Sequence, residues 1–251
     1  MRVIGVLDLA NGRAVHAVAG RRREYRAVRS GLAPAPGDAV AIARAYRDAL
    51  ALREVYVADL DAIAGGAPQR ALVREVVRAA APAAVLVDAG GCSAEQARLT
   101  LADGAARVVV GLETLPDMAD LAPLVRDVGG ERVVFSLDLR GGVPVVRAGA
   151  AVQPDPLAVA ERAADAGVTS ILVLDLARVG TGLGVDLALV RRIRRACPAV
   201  AVLVGGGVRD RAELERLADA GVDGALVATA LHDGRLTAAD VEALGAARRS
   251  G

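Results

Sequence analysis

The sequence has no lysine and no tryptophan, and among its 251 residues only two cysteines, two histidines, one phenylalanine and three tyrosines. An aromatic share of 2% leaves few platforms for stacking single-stranded nucleic acid or flat apolar ligands. The core must therefore be built from Val, Leu, Ile and Ala. Cys92 and Cys197 have no CxxC spacing and no clustered histidine, which suggests neither a zinc site nor a disulfide framework and fits a reduced, cytoplasmic setting. No apolar run approaches transmembrane length. The segment Met1 to Leu9 carries Arg2 and Asp8 without an A-x-A cleavage pattern, so it reads as a strand rather than a signal peptide, and no membrane is expected. Neither charge dominates: 31 basic residues stand against 30 acidic ones, which removes the global footprint that nucleic-acid binding usually needs. That every basic residue is arginine reads as a coding bias and carries no mechanism.

What is present is a well-packed composition, 54% hydrophobic and 24% charged. Short β-branched runs alternate with longer Ala/Arg/Leu segments of helical period, the pattern of parallel strands joined by crossover helices. Eight strands are predicted: Val3–Leu9, Val55–Leu60, Ala84–Asp88, Arg107–Gly111, Val133–Leu139, Ser170–Asp175, Val200–Val204 and Gly224–Ala228. Helix starts are marked by Asp38, Ser93 with Gln96, Asp117, Asp155 with Pro156, Asp210 with Glu213, and Thr237 with Asp240. Helix stops are marked by Gly104, Gly129-Gly130, Gly167 and Gly221. No linker or charge block interrupts the series, so residues 1–251 are expected to form one domain.

Laid on itself, the sequence repeats at about half its length. Val3–Gly20 lies on Val133–Ala150, each with L-D-L followed by x-x-G, and Val57–Leu60 lies on Val173–Leu176. Ala84–Val87 lies on Ala201–Val204, and this pairing runs without a gap to Val110-Gly111 and Val227-Ala228. A duplicated half-barrel explains such a repeat, whereas a doubly wound open sheet does not. The expected fold is a (β/α)₈ barrel made of two repeated half-barrels.

In such a barrel the site lies beyond the C-terminal ends of the strands. Asp8 and Asp138 occupy equivalent places there in the two halves, where one carboxyl could remove a proton while the other delivers one. The other reading is that each caps a strand-to-loop turn. Asp59, Asp61 and Asp175 also crowd the mouth and read better as turn-forming carboxylates than as metal ligands; no metal is expected. Gly205-Gly206-Gly207 after the seventh strand, and Ala228-Thr229 before a short segment after the eighth, suit a phosphate, since glycines allow close approach and backbone N–H groups supply donors. The matching first-half positions, Asp88 to Cys92 and Leu112-Glu113, would repel one, which points to a ligand with a single phosphate. The long first loop, Ala17 to Pro36, holds Arg21, Arg22, Arg23, Arg26 and Arg29 around Tyr25 and is either an anion-closing lid or a solvated loop. His16 can help bind or can be structural, and His232 suits the phosphate side better than the chemistry.

These residues resemble the HisA/HisF family of histidine-biosynthesis barrels, over essentially the whole chain. The likeness rests on Leu7-Asp8-Leu9 with Gly12, Tyr56 to Asp61, Phe135 to Asp138 with Arg140-Gly141-Gly142, Gly180-Thr181, and Gly205 to Val208. It implies an aldose–ketose isomerase of the HisA type that uses two aspartates, Asp8 as base and Asp138 as acid or the reverse, and no organic cofactor. It also implies a phosphorylated small-molecule substrate, with His16, Arg140, Gly180, Thr181, Gly205, Gly206, Gly207, Ala228 and Thr229 binding it, in a monomer or small homo-oligomer. The chain departs from the isomerase pattern at His16, at Asp88 to Cys92, at Leu174 and at Val179. The A-V-H-A-x-x-G-R segment with Tyr25 and Ser30 is closer to HisA-related paralogues of archaea and some bacteria. The expectation is accordingly a paralogue with a changed substrate, the alternatives being the histidine-pathway isomerase itself and a non-catalytic phosphometabolite-binding relative.

Overall fold

A computed structural model describes residues 1–19, 21–147, 155–181 and 184–246. Its strands are β1 (Arg2–Ala10), β2 (Arg13–His16), β3 (Arg26–Ala27), β4 (Glu54–Asp59), β5 (Ala84–Asp88), β6 (Arg107–Gly111), β7 (Val133–Arg140), β8 (Val143–Pro144), β9 (Ser170–Asp175), β10 (Ala201–Gly205) and β11 (Gly224–Val227). Eight of them run parallel in the order β1, β4, β5, β6, β7, β9, β10, β11, and β11 pairs back to β1 from Arg2 with Gly224 to Gly5 with Val227. The sheet is a closed barrel, as the repeat implied. Each strand is covered on both faces, which is why its sequence is a continuous apolar run rather than an alternating one.

The alternation survives in which core each residue joins. Ile4, Tyr56, Leu86, Val109, Val134, Leu172, Leu203 and Leu226 fill the barrel interior, while Leu7, Val55, Val57, Phe135 and Ile171 belong to the layer between barrel and helices. The helices are α1 (Ala39–Asp48), α2 (Leu60–Ile63), α3 (Arg70–Ala80), α4 (Ala94–Ala102), α5 (Leu121–Val128), α6 (Pro156–Asp165), α7 (Leu187–Ala196), α8 (Arg211–Asp219), α9 (Thr229–His232) and α10 (Ala238–Ala246). Helix α1 begins because the Asp38 carboxylate accepts the amide of Ala41, and it buries Ile42, Ala43 and Tyr46 on one face. Asp38→Ala is expected to cost about 1 kcal/mol of stability, measurable as a lower denaturant midpoint with unchanged slope.

Two features direct function to one end. At the N-terminal mouth, Arg2 and Arg107 both bond the Glu54 carboxylate, at 2.8 and 3.2 Å, and close the barrel with ion pairs. At the other end β1 and β7 continue past the rim and fold back as hairpins with β2 and β8. Their tight turns, Asn11-Gly12 and Gly141-Gly142, have positive φ at both positions, as a two-residue I′ turn requires. The half-chain repeat therefore extends to the loops.

Candidate active site

The C-terminal mouth holds a cavity of about 280 Å³ that runs across the whole barrel end. Asp8 from β1 and Asp138 from β7 line it together with Asp88 from β5 and Tyr56 from β4. The Tyr56 phenol sits among all three carboxylates: it donates to Asp88 Oδ2 at 3.4 Å, and burial and the negative charges of Asp88, Asp138 and Asp8 push its ionisation well above the ordinary range. It is therefore a permanent donor at neutral pH. Asp8 opens onto the cavity but is otherwise surrounded by protein, and desolvation, helped by the charge of Asp88, raises its pKa to about 7. Asp138 is held by the Ser136 hydroxyl, which donates to Oδ1 at 2.9 Å. The two carboxyls thus sit in different surroundings, a necessary condition for one to act as base while the other acts as acid.

The remaining acidic residues of the rim serve the loops. Asp59 accepts the amides of Ala62 and Gln69, and Asp61 accepts that of Asn11. Asp175 accepts those of Gly141, Gly142 and Ala177. The turn-forming reading of these carboxylates matches this bonding. They pin the β1 and β7 hairpins across the rim.

Opposite lies the glycine run after β10. Gly206 and Gly207 take φ of 102° and 85°, a left-handed conformation open to glycine and costly to other residues. A Cβ on Gly206 would lie 2.9 Å from the Asp175 carbonyl. Among the described residues, no acceptor takes the backbone N–H of Gly206, Gly207 or Thr229. Gly206, Gly207, Ala228 and Thr229 line the cavity, as do Arg209 and Arg235. These donors lie beside the guanidinium groups of Arg209 and Arg235, which are paired through Nε with Glu213 at 3.3 Å and Asp233 at 2.8 Å, an arrangement that can accept an anion.

Other expected site residues separate. His16 lines the cavity, its Nε2 3.2 Å from Thr229 Oγ1, which places it on the side of the loop after β11. Arg140 and Gly180 also line it. Two do not. Gly205 is the last residue of β10 and sits beneath the cavity floor, where an added Cβ would meet Leu174 at 2.8 Å. Thr181 is exposed and spends its hydroxyl on the Arg178 carbonyl at 2.8 Å. His232 bridges Ser30 at 2.9 Å and Tyr46 at 3.4 Å. Because the Tyr46 hydroxyl donates to the Val6 carbonyl, His232 must carry its proton on Nε2 and accept on Nδ1. Burial pulls its pKa down to about 4, so the ring is a neutral strut between the first loop and α1. Of the first loop, Tyr25 and Val28 line the cavity, while Arg21, Arg23, Arg26 and Arg29 are exposed and do not line it.

Comparison with known proteins agrees with this architecture. The family model described as histidine biosynthesis protein matches residues 2–237. The chain belongs to that family. Among its curated relatives is the 1-(5-phosphoribosyl)-5-((5-phosphoribosylamino)methylideneamino)imidazole-4-carboxamide isomerase of Thermus thermophilus, 36% identical over 94% of this chain and 96% of that protein. Isomerases with the same name from Sorangium cellulosum and Halobacterium salinarum are 35% and 31% identical, each over 96% of this chain. These names support an isomerase-type member of the family, and they fit the histidine-pathway alternative better than the expected paralogue with a changed substrate. Tyr56 was missed as a functional residue by sequence reasoning, although it stands two residues before Ala58 on the inward-facing side of β4.

Proposed function

We propose that the protein is an aldose–ketose isomerase that converts a phosphoribosylamino aldose into the corresponding aminoketose, the type of activity its relatives carry. The observation that supports this best is the pairing, in one cavity, of a carboxyl raised to about 7 with a second, hydroxyl-held carboxyl and an anion cradle across the mouth. Asp138 donates a proton to the ring oxygen as the bond from that oxygen to the anomeric carbon breaks, and the nitrogen lone pair forms a C=N bond. Asp8 then takes the proton from the neighbouring carbon, whose electron pair moves into the chain and leaves an enolamine. Proton transfer from the enol hydroxyl to the former anomeric carbon gives the ketone. No net oxidation occurs, and no outside redox partner is required. Gly206, Gly207 and Thr229 hold a phosphate of the substrate, and burial makes Asp8 a stronger base than an ordinary carboxylate.

A non-catalytic binding protein has no use for a carboxyl held at the cost of burial, so the catalytic reading is preferred. The relatives' names point to their own substrate, with two phosphoribosyl groups, as the first compound to assay. Growth rescue of a histidine auxotroph lacking that isomerase tests the pathway. With Asp8 as base, kcat/KM rises with pH and levels off above about 7, because only the deprotonated carboxylate of the free enzyme is active. A rate that instead falls through pH 7 would assign Asp8 as the acid and reverse the two roles.

A further inference from the structure

The two halves of the sequence align position by position after β5 and β10, yet the two loops are built differently. The gapless repeat sets Asp88 on Gly205, Ala89 on Gly206, Gly90 on Gly207 and Cys92 on Arg209, and further on Leu112 on Thr229. In the second half the amides of Gly207 and Thr229 stay available. In the first half the amide of Gly90 is taken by Asp88 Oδ1 at 3.0 Å, and that of Leu112 by the Ser136 carbonyl at 2.9 Å. Ala89 does not adopt the left-handed conformation of Gly206. The arginine of the second loop is a cysteine in the first, and Asp88 and Glu113 line the cavity at that end. Against the second half, the first lacks a free amide at the Gly90 position, a free amide after the next strand and a guanidinium, while the amides of Ala89 and Gly91 have no acceptor among the described residues.

We infer that Asp88 is a specificity-determining residue that closes the first-half anion cradle, so that the substrate carries one phosphate, at Gly206, Gly207 and Thr229, and presents a neutral or cationic hydrogen-bonding group to Asp88 and Glu113. This rests on the isomerase reading and names its substrate class. A phosphate at Gly90 would meet a carboxylate on the amide it needs, and like charges at close range cost far more than a neutral contact returns. Tyr56 adds to the selection, since its hydroxyl anchors Asp88 from the barrel interior.

Crystals of the full chain soaked in inorganic phosphate provide a test independent of turnover. One phosphate at Gly206 and Gly207 is expected in the native protein, and a second at Gly90 and Gly91 in Asp88→Gly, which restores the second-half residue. A native phosphate at Gly90 overturns the inference, as does an Asp88→Gly protein that folds and still binds only one. An adventitious ion only, with phosphate scattered on surface arginines and neither cradle occupied, overturns it too. Should Asp88→Gly fail to fold, Asp88→Asn serves: it keeps the turn, removes the charge, and is expected to bind phosphate at the first-half loop more tightly than the native chain in calorimetry. Turnover separates the two claims. The relatives' two-phosphoribosyl substrate and its two singly dephosphorylated forms are compared by kcat/KM. One singly phosphorylated form is expected to exceed the doubly phosphorylated one by about tenfold or more. Preference for the doubly phosphorylated compound defeats the inference and leaves the isomerase reading intact, whereas no turnover of any of the three defeats the isomerase reading while the phosphate positions still decide the cradle.

Discussion

Asp8→Asn and Asp138→Asn are each expected to lower kcat by about 10²–10⁴-fold while leaving phosphate binding in place, because each removes a proton-transfer step and neither touches the anion cradle. The two variants differ in a second respect. Asp8 has its pKa raised to about 7 by folding, from an ordinary value of 3.8. The folded state therefore holds a proton that the unfolded chain releases between those two values. Stability is lost as pH rises through that window, on the order of a few kcal/mol in full. Asn carries no charge to bury, so Asp8→Asn is expected to raise the melting temperature at pH 8 and to change it little near pH 3. A variant that loses activity and gains stability at neutral pH marks a carboxyl kept for chemistry. Equal activity in either variant would leave the pair with a capping role only.

Gly206→Ala should strike binding instead. At φ of 102° an alanine is strained by about 1–3 kcal/mol, and its Cβ would press on the Asp175 carbonyl at 2.9 Å, which displaces the loop. Charge-assisted hydrogen bonds of the kind a phosphate makes there contribute about 1.5–3 kcal/mol each. The expected result is a KM raised roughly ten- to hundredfold with a smaller change in kcat, together with a lower melting temperature. Steady-state kinetics on the best of the phosphorylated substrates reads both constants. A KM unchanged in a protein that has plainly lost stability would move the phosphate elsewhere in the cavity.

The barrel was legible because parallel strands covered on both faces leave long apolar runs, and because capping residues such as Asp38, Ser93, Asp155 and Asp210 bond the amides their spacing suggested. The strand after Pro198 begins and ends one residue later than its sequence suggests, at Ala201 and Gly205. The hairpins beyond β1 and β7 were in principle readable from Asn11-Gly12 and Gly141-Gly142, pairs that favour I′ turns, but Ala17 to Pro36 drew attention to the loop rather than to the strands that frame it.

The site was legible in part. Asp8 and Asp138 stood out because both halves keep them. What the residues could not reveal was convergence. Tyr56 acquires meaning from three carboxylates contributed by β1, β5 and β7, and Asp88 from the amide two residues beyond it. Gly205 and Thr181 illustrate the reverse error, since a motif names a loop without saying which of its members face the cavity. In the first loop the arginines left both a lid and a solvated loop open; Arg21, Arg23, Arg26 and Arg29 are exposed, as cheaply solvated guanidinium groups can be, and Tyr25 and Val28 line the cavity.

The central claim is that this cavity moves a proton off the carbon beside the anomeric centre of a phosphorylated aminoaldose. Its most direct test is isomerisation in deuterated water, followed by NMR, of the relatives' two-phosphoribosyl substrate and its singly dephosphorylated forms. An aminoketose product with deuterium at the former anomeric carbon is expected, formed by the native protein and by neither Asp8→Asn nor Asp138→Asn at a comparable rate. Unchanged aldose in every case, or product formed equally well by the Asn variants, would contradict it.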